Sequence, residues 1–250
     1  MTGLPRTELL SGAAAYGVAG DQPVRALIAT AHSARQDSGR RLQDWASRAG
    51  ATVLSTPHGD AEIGLVLGEP VPGPDPGPDG VTIALGPPGT LEQLPESFAA
   101  ASRVEAAAMR VGHRGIADLE TLSWRMAITA SPETTALLRA RHLEPLQAEG
   151  EFGQLLQETV RAYLAQRMSI PRAAESIPVH VNTLRYRLRR FQELTGADLH
   201  DPEDLIEVSW ALAAEPPHGV PTGPTAGPSA GAPTGSSVGL PAGAPTGSSA

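Results

Sequence analysis

The chain has 250 residues and a mass of 25.9 kDa, enough for one large domain or two small ones. Its 27 acids outweigh 19 bases for a formal charge of −8; every base is Arg, and the chain has no Lys and no Cys. A disulfide framework, a thiolate zinc site and a cysteine nucleophile are therefore excluded. The absence of Cys is compatible with a reducing cytosol, and the Arg-only, Ala/Gly/Pro-rich usage suggests a GC-rich coding bias. The most apolar stretch near the start, residues 12–20, is short and has no basic region before it, which argues against a secretory signal of the usual form. No run approaches the roughly 18 apolar residues of a membrane span. The expectation is a soluble, cytoplasmic protein without a membrane partner.

In chain order, residues 24–30 (VRALIAT) read as a strand, followed by a helical window at 38–49 with Leu42, Trp45, Ala46 and Ala49 on one face. Residues 51–55 and 62–67 read as strands around a turn at 57–60. A Pro/Gly-rich loop at 69–80 (EPVPGPDPGPDG) is short enough to join two strands of one domain, and 81–85 is the strand after it. Residues 91–111 form a long Ala-rich helix. The alternation predicts an α/β domain with a mostly antiparallel sheet and helices on one face. Helical windows follow at 116–126 and 132–146.

Composition changes near Glu215. From residue 216 to 250 there is no charged side chain, 16 of the 35 residues are Pro or Gly, and GAPTGSS occurs at 231–237 and again at 243–249. A segment with so little to bury cannot offset its ordering entropy, so a disordered tail is expected.

The segment before the tail carries the functional signal. Residues 152–165 (FGQLLQETVRAYLA) are amphipathic, with Leu156, Val160, Tyr163 and Leu164 on one stripe. A short helix follows, with Ser169 placed to cap it, Pro171 in its first turn and Ala173 and Ala174 offering a small surface for close approach. Ile177, Pro178 and Val179 make a tight break. Residues 181–194 (VNTLRYRLRRFQEL) then place Leu184, Leu188 and Phe191 at i, i+4 and i+7, and Gly196 stands where a C′ glycine ends a helix. Helix, short turn and helix at this spacing predict a helix-turn-helix.

At about 100° per residue, Leu184, Leu188 and Phe191 point inward. Asn182, Arg185, Tyr186 and Arg189 spread over the opposite side, and Thr183, Arg187 and Arg190 lie on a flank. Asn and Arg can pair with adenine and guanine edges in a major groove, while guanidiniums and a Thr hydroxyl suit phosphates. His180, at the turn, is read as a turn or phosphate-contact residue. Residues 169–191 hold five Arg against one Glu, a net +4, so the rest of the chain carries −12 and the positive potential is local. A solvated Arg-rich helix is the plain alternative; the short helix, turn and Ala pair before it favour a DNA-binding element.

The core of this segment resembles a known family. Val179-His180-x-Asn182-Thr183-Leu184-x-Tyr186-Arg187-Leu188, with Leu194-Thr195-Gly196 and Asp201-Pro202, is similar to the C-terminal helix-turn-helix of the PucR/CdaR family of bacterial transcriptional regulators. Asp201, Pro202 and Asp204 are also sound helix-start chemistry in their own right. Upstream, residues 143–146 (LEPL) and 152–164 resemble the family's lead-in, and 81–107, with Ser97 and Ala106, its degenerate GGDEF-like domain. Two departures stand out: Val181 occupies a position where related sequences often carry Arg, and about 20 unpatterned residues stand where a sensory domain is common. An inducer site is therefore expected to be absent or supplied by a partner.

Enzyme motifs fail on their chemistry. Residues 57–63 (PHGDAEI) stand where a nucleotide cyclase carries GGDEF; Asp60 and Glu62 are present, but an Ala separates them and His58 replaces one Gly. Residues 86–90 (GPPGT) continue Leu91-Glu92 without the phosphate-binding Lys of a P-loop. The seven His show no HxxxH or HExxH spacing, and no GxSxG occurs. No catalytic residue, metal or cofactor is expected.

The combined expectation is an α+β chain: a leader at 1–20, a degenerate GGDEF-like α/β domain at 21–115, a helical connector at 116–150, an all-α Fis-like helix-turn-helix domain at 151–214 and a disordered tail at 215–250. Its expected function is sequence-specific binding of operator double-stranded DNA in transcription regulation, as a homodimer on the nucleoid. The alternative is a protein-interaction and dimerisation module whose Arg helix docks an acidic partner.

Overall fold

The structure, a computed structural model, describes residue 18 and residues 22–32, 38–68 and 77–215. The expectations for most of the leader, for 69–76 of the Pro/Gly loop and for the tail from 216 lie outside these residues. The fold is α+β. Strands β1 (Val24–Ala31), β2 (Thr52–His58), β3 (Ala61–Leu67), β4 (Val81–Leu85) and β5 (Gly115–Ala117) form one sheet in the order β2-β3-β1-β4-β5. Every pairing is antiparallel except β4 with β5. Pro57 and His58 belong to β2, so the hairpin turn tightens to Gly59 and Asp60, with Gly59 at φ 58°.

Helices cover both faces of this sheet, not the single face that the sequence pattern predicts. Helix α1 (Ser38–Ala49) lays Leu42, Trp45 and Ala46 on Leu27, Ala29, Val66, Ile83 and Leu85. Helix α2 (Leu94–Arg110) covers the other side, packing Ala101, Val104, Ala107 and Ala108 on Ala26, Ile28, Ala84 and Ala117. Consecutive β1 residues Val24 to Ala29, Arg25 included, are all buried; burial without alternation is the signature of a strand covered on both faces. β5 also replaces the start of the helix expected at 116, and helical structure begins only at Leu119, where Asp118 caps it.

Ser97 ties α2 to the sheet. Its hydroxyl accepts the Ala26 N–H at 3.0 Å and donates to the Pro87 carbonyl at 2.8 Å. A Cβ on Gly86 would lie 2.0 Å from the Ser97 carbonyl oxygen, so only glycine permits this approach. Ser97→Ala leaves a buried N–H unpaired and should destabilise the fold by about 1–3 kcal/mol. The expected readout is a lower urea midpoint at an unchanged m-value, and an unchanged midpoint would contradict it.

Downstream come α3 (Leu119–Leu122), α4 (Met126–Ala130), α5 (Pro132–His142), α6 (Glu144–Gln147), α7 (Glu151–Ala165), α8 (Ile170–Ser176), α9 (Val181–Thr195) and α10 (Pro202–Ala213). Their core joins Leu156, Val160 and Tyr163 to Leu184, Leu188 and Phe191, and to Leu199, Val208, Ala211 and Leu212. It also takes in Leu138, Leu143 and Leu146 from the stretch predicted to be a connector. Helix α5 is fastened to α10 by polar contacts: Trp210 Nε1 donates to Thr135 Oγ1 at 2.9 Å, and buried His142 lies 2.8 Å from Glu207. Among the described residues, no helix is long and apolar enough to cross a membrane.

Candidate nucleic-acid interface

The chain reverses after α7 through Arg167 and Met168, both non-glycine residues with positive φ, 52° and 60°. The Met168 N–H donates to the Tyr163 carbonyl at 2.8 Å and holds the reversal. Helix α8 starts at Ser169 as predicted, but through the backbone alone: the Ser169 hydroxyl makes no cap bond, and its carbonyl accepts from Ala173 N. Ala173 and Ala174 are buried, supplying the small surface on which α8 meets its neighbours.

His180 is the N-cap of α9. Its Nδ1 accepts the Asn182 N–H at 3.2 Å, so the ring satisfies one of the helix's free donors. At the far end Gly196 adopts φ 72°, closing the helix through its N–H to the Gln192 carbonyl. Asp201 then caps α10, its carboxylate accepting from Glu203 N and Asp204 N.

Burial sorts the eight predicted contact residues. His180, Asn182, Thr183, Arg185, Tyr186 and Arg189 are exposed, while Arg187 and Arg190 are half-buried on the flank. Tyr186, 50% exposed, leans its ring toward Phe152 of α7 with centroids 6.3 Å apart. Arg187 Nη1 reaches back to Thr159 Oγ1 at 3.5 Å. Arg189 lies 3.9 Å from Glu193 as an exposed i,i+4 pair. Arg190 is held from two sides, by Glu149 at 2.8 Å and by Glu193 at 3.4 Å. The hydrogen bond that Arg190 donates to Glu149, then the Glu149 charge, fix the Arg190 guanidinium more firmly in its protonated form than usual. Arg185 makes no ion pair with any described residue.

The two discounted enzyme motifs have structural roles. Gly86 N–H and Gly89 N–H donate to the Ala26 and Val24 carbonyls of β1, and Thr90 N–H to Gln93 Oε1, so the GPPGT loop spends its amides on its own fold. Glu62 is buried against the start of α1, where a Cβ on Gly39 would meet its carboxylate at 3.1 Å. Among the described residues no three His, Asp or Glu side chains converge as a metal site. Arg25, buried in β1, donates to the Gly86 carbonyl at 2.6 Å and lies 3.4 Å from Asp118. Partial burial works against the Asp118 charge, but hydrogen bonds from Thr121 and Arg25 outweigh it and hold the carboxyl below the usual range.

Residues 156–214 match the model of the PucR C-terminal helix-turn-helix domain. This region is a PucR-type helix-turn-helix domain. Residues 2–107 match the model of the GGDEF-like domain, so both halves of the family resemblance hold. The chain is 37% identical to an uncharacterized protein of Thermomonospora curvata from the pkwA 5′ region, over 33% of this chain and 46% of that protein. It is 29% identical to an uncharacterized protein of Mycobacterium tuberculosis over 79% of this chain and 51% of the other. The purine catabolism regulatory protein of Bacillus subtilis is 36% identical over 28% of this chain and 13% of its own length. The chain thus spans about half the length of the first two relatives. Around the PucR-type domain, sequence reasoning missed Glu149. It lies 41 residues from Arg190, a separation that no helical periodicity reports, whereas Glu193 at i+3 was within reach of it.

Proposed function

We propose that this chain is a transcriptional regulator that binds operator double-stranded DNA sequence-specifically, without catalysis, with α9 in the major groove. The observation that carries the reading is the exposed face of Asn182, Arg185, Tyr186 and Arg189 on the second helix of a PucR-type helix-turn-helix. The name of the Bacillus subtilis relative, a regulatory protein, supports the same class. Asn182, Tyr186 and Arg189 read base edges, and Thr183, Arg187 and Arg190 on the flank meet the phosphates on this account. His180 acts by fixing the helix start. A single helix-turn-helix reads only a few base pairs, so the protein works as a homodimer on half-sites one helical turn apart, cytoplasmic and on the nucleoid.

Genomic fragments captured by the purified protein supply the cognate sequence, and anisotropy titrations across salt supply the test. Log affinity should fall linearly with log salt at about 0.9 per phosphate neutralised. Capture of no fragment, or affinity indifferent to salt, would reject DNA binding in favour of an acidic protein partner for the Arg helix.

A further inference from the structure

The Arg-rich flank of α9 is electrically quieter than its composition suggests. Arg190 gives Nη2 to Glu149 and Nη1 to Glu193, and Glu193 also faces Arg189. Two guanidiniums and two carboxylates therefore nearly cancel there. Glu149 is foreign to α9: it stands in the elbow between α6 and α7. That elbow is rigid. Glu149 N–H donates to the Leu146 carbonyl, the Glu149 carbonyl accepts from Phe152 N–H, and a Cβ on Gly153 would lie 2.0 Å from the Leu146 oxygen. The Glu149 side chain is only 26% exposed. Its backbone is thus fixed, and its carboxylate is delivered to Arg190 rather than left to sample solvent. A carboxylate oxygen and a phosphate oxygen are the same kind of acceptor for a guanidinium, so the two compete for the same Nη2 hydrogen and for the same positive charge.

Resting on the DNA-binding reading above, we infer that Glu149 is a built-in competitor of the phosphate backbone: it holds Arg190 in the free protein and must release it before that guanidinium can neutralise a phosphate. The elbow that delivers Glu149 thereby sets the affinity of α9 for every duplex, without touching a base.

Glu149→Gln in the full chain removes the charge and keeps an acceptor of the same shape. On both the captured fragment and a random duplex it should tighten binding roughly two- to fivefold at low salt, the scale of one partly exposed ion pair. The plot of log affinity against log salt should steepen by about one unit, for one added phosphate contact. The added slope should disappear in Glu149→Gln/Arg190→Ala. Glu151→Gln, which removes a charge two residues away that forms no ion pair with a described residue, should leave the slope unchanged. If wild type binds with salt dependence and Glu149→Gln matches it, the competitor role is overturned and DNA binding stands. Weaker binding by Glu149→Gln overturns it too, by making Glu149 a support for Arg190, as does an equal gain in Glu151→Gln. Failure of wild type and all variants to bind duplex at any salt overturns both readings.

Discussion

Phe191→Ala should destabilise the helical region by about 3–5 kcal/mol and abolish DNA binding. Phe191 is fully buried where α9 meets its core neighbours, alongside Leu184, Leu188, Leu199 and Val208. Truncation removes the transfer free energy of the ring and leaves a cavity that a helix locked by His180 and Gly196 at its two ends cannot easily close. Thermal melting should fall by roughly ten degrees, at about 2–4 °C for each kcal/mol in a chain of this size. The clusters above and below the sheet share no buried residue with this core, so strand signals should melt later than helix signals in the variant. A melting temperature within two degrees of wild type would mean that Phe191 is not the keystone of this core.

The second large effect is on recognition. Asn182→Ala and Arg189→Ala should each cost about 1–3 kcal/mol on the captured sequence and far less on random duplex. Both side chains are exposed, and the pair that Arg189 makes with Glu193 at 3.9 Å is of the kind that contributes little to stability. Folding should therefore be intact, which separates these variants from Phe191→Ala. Equal losses on both duplexes would reject Asn182 and Arg189 as base readers. No loss on either would move the Arg helix to a protein partner.

Much of the helix-turn-helix could be read from the sequence because its determinants are local. Leu184, Leu188 and Phe191 mark one stripe within two turns, Gly196 needs only its own φ, and Asp201 caps within three residues. What escaped was set by distance. The second helix layer on the sheet is invisible in α1 or α2 alone and shows only in the unbroken burial of β1, which an alternating pattern would have lacked. β5 is three residues long, too short for a period of two to register. The packing of Leu138, Leu143 and Leu146 was not legible either, because their partners, Leu156 and the α9 stripe, come later in the chain. Ser169 has the right residue type for a side-chain cap, yet the positive-φ reversal before it leaves the cap to the backbone.

The seam between α10 and the turn that precedes α4 also gives the molecule an optical label of its own. Of the three tryptophans in the chain, Trp45 is buried under the sheet, while Trp124 and Trp210 lie 6.2 Å apart with rings tilted by 31°. Arg125 sits 4.7 Å over the Trp124 ring. Indoles this close couple their transitions, and coupling of that kind gives a near-ultraviolet dichroism that vanishes when the rings part. Trp45 emits from a dry site and hardly senses the seam. All three indoles emit, but the coupled dichroism belongs to the Trp124–Trp210 pair alone, so the undocking of α10 can be followed in solution without attaching a dye.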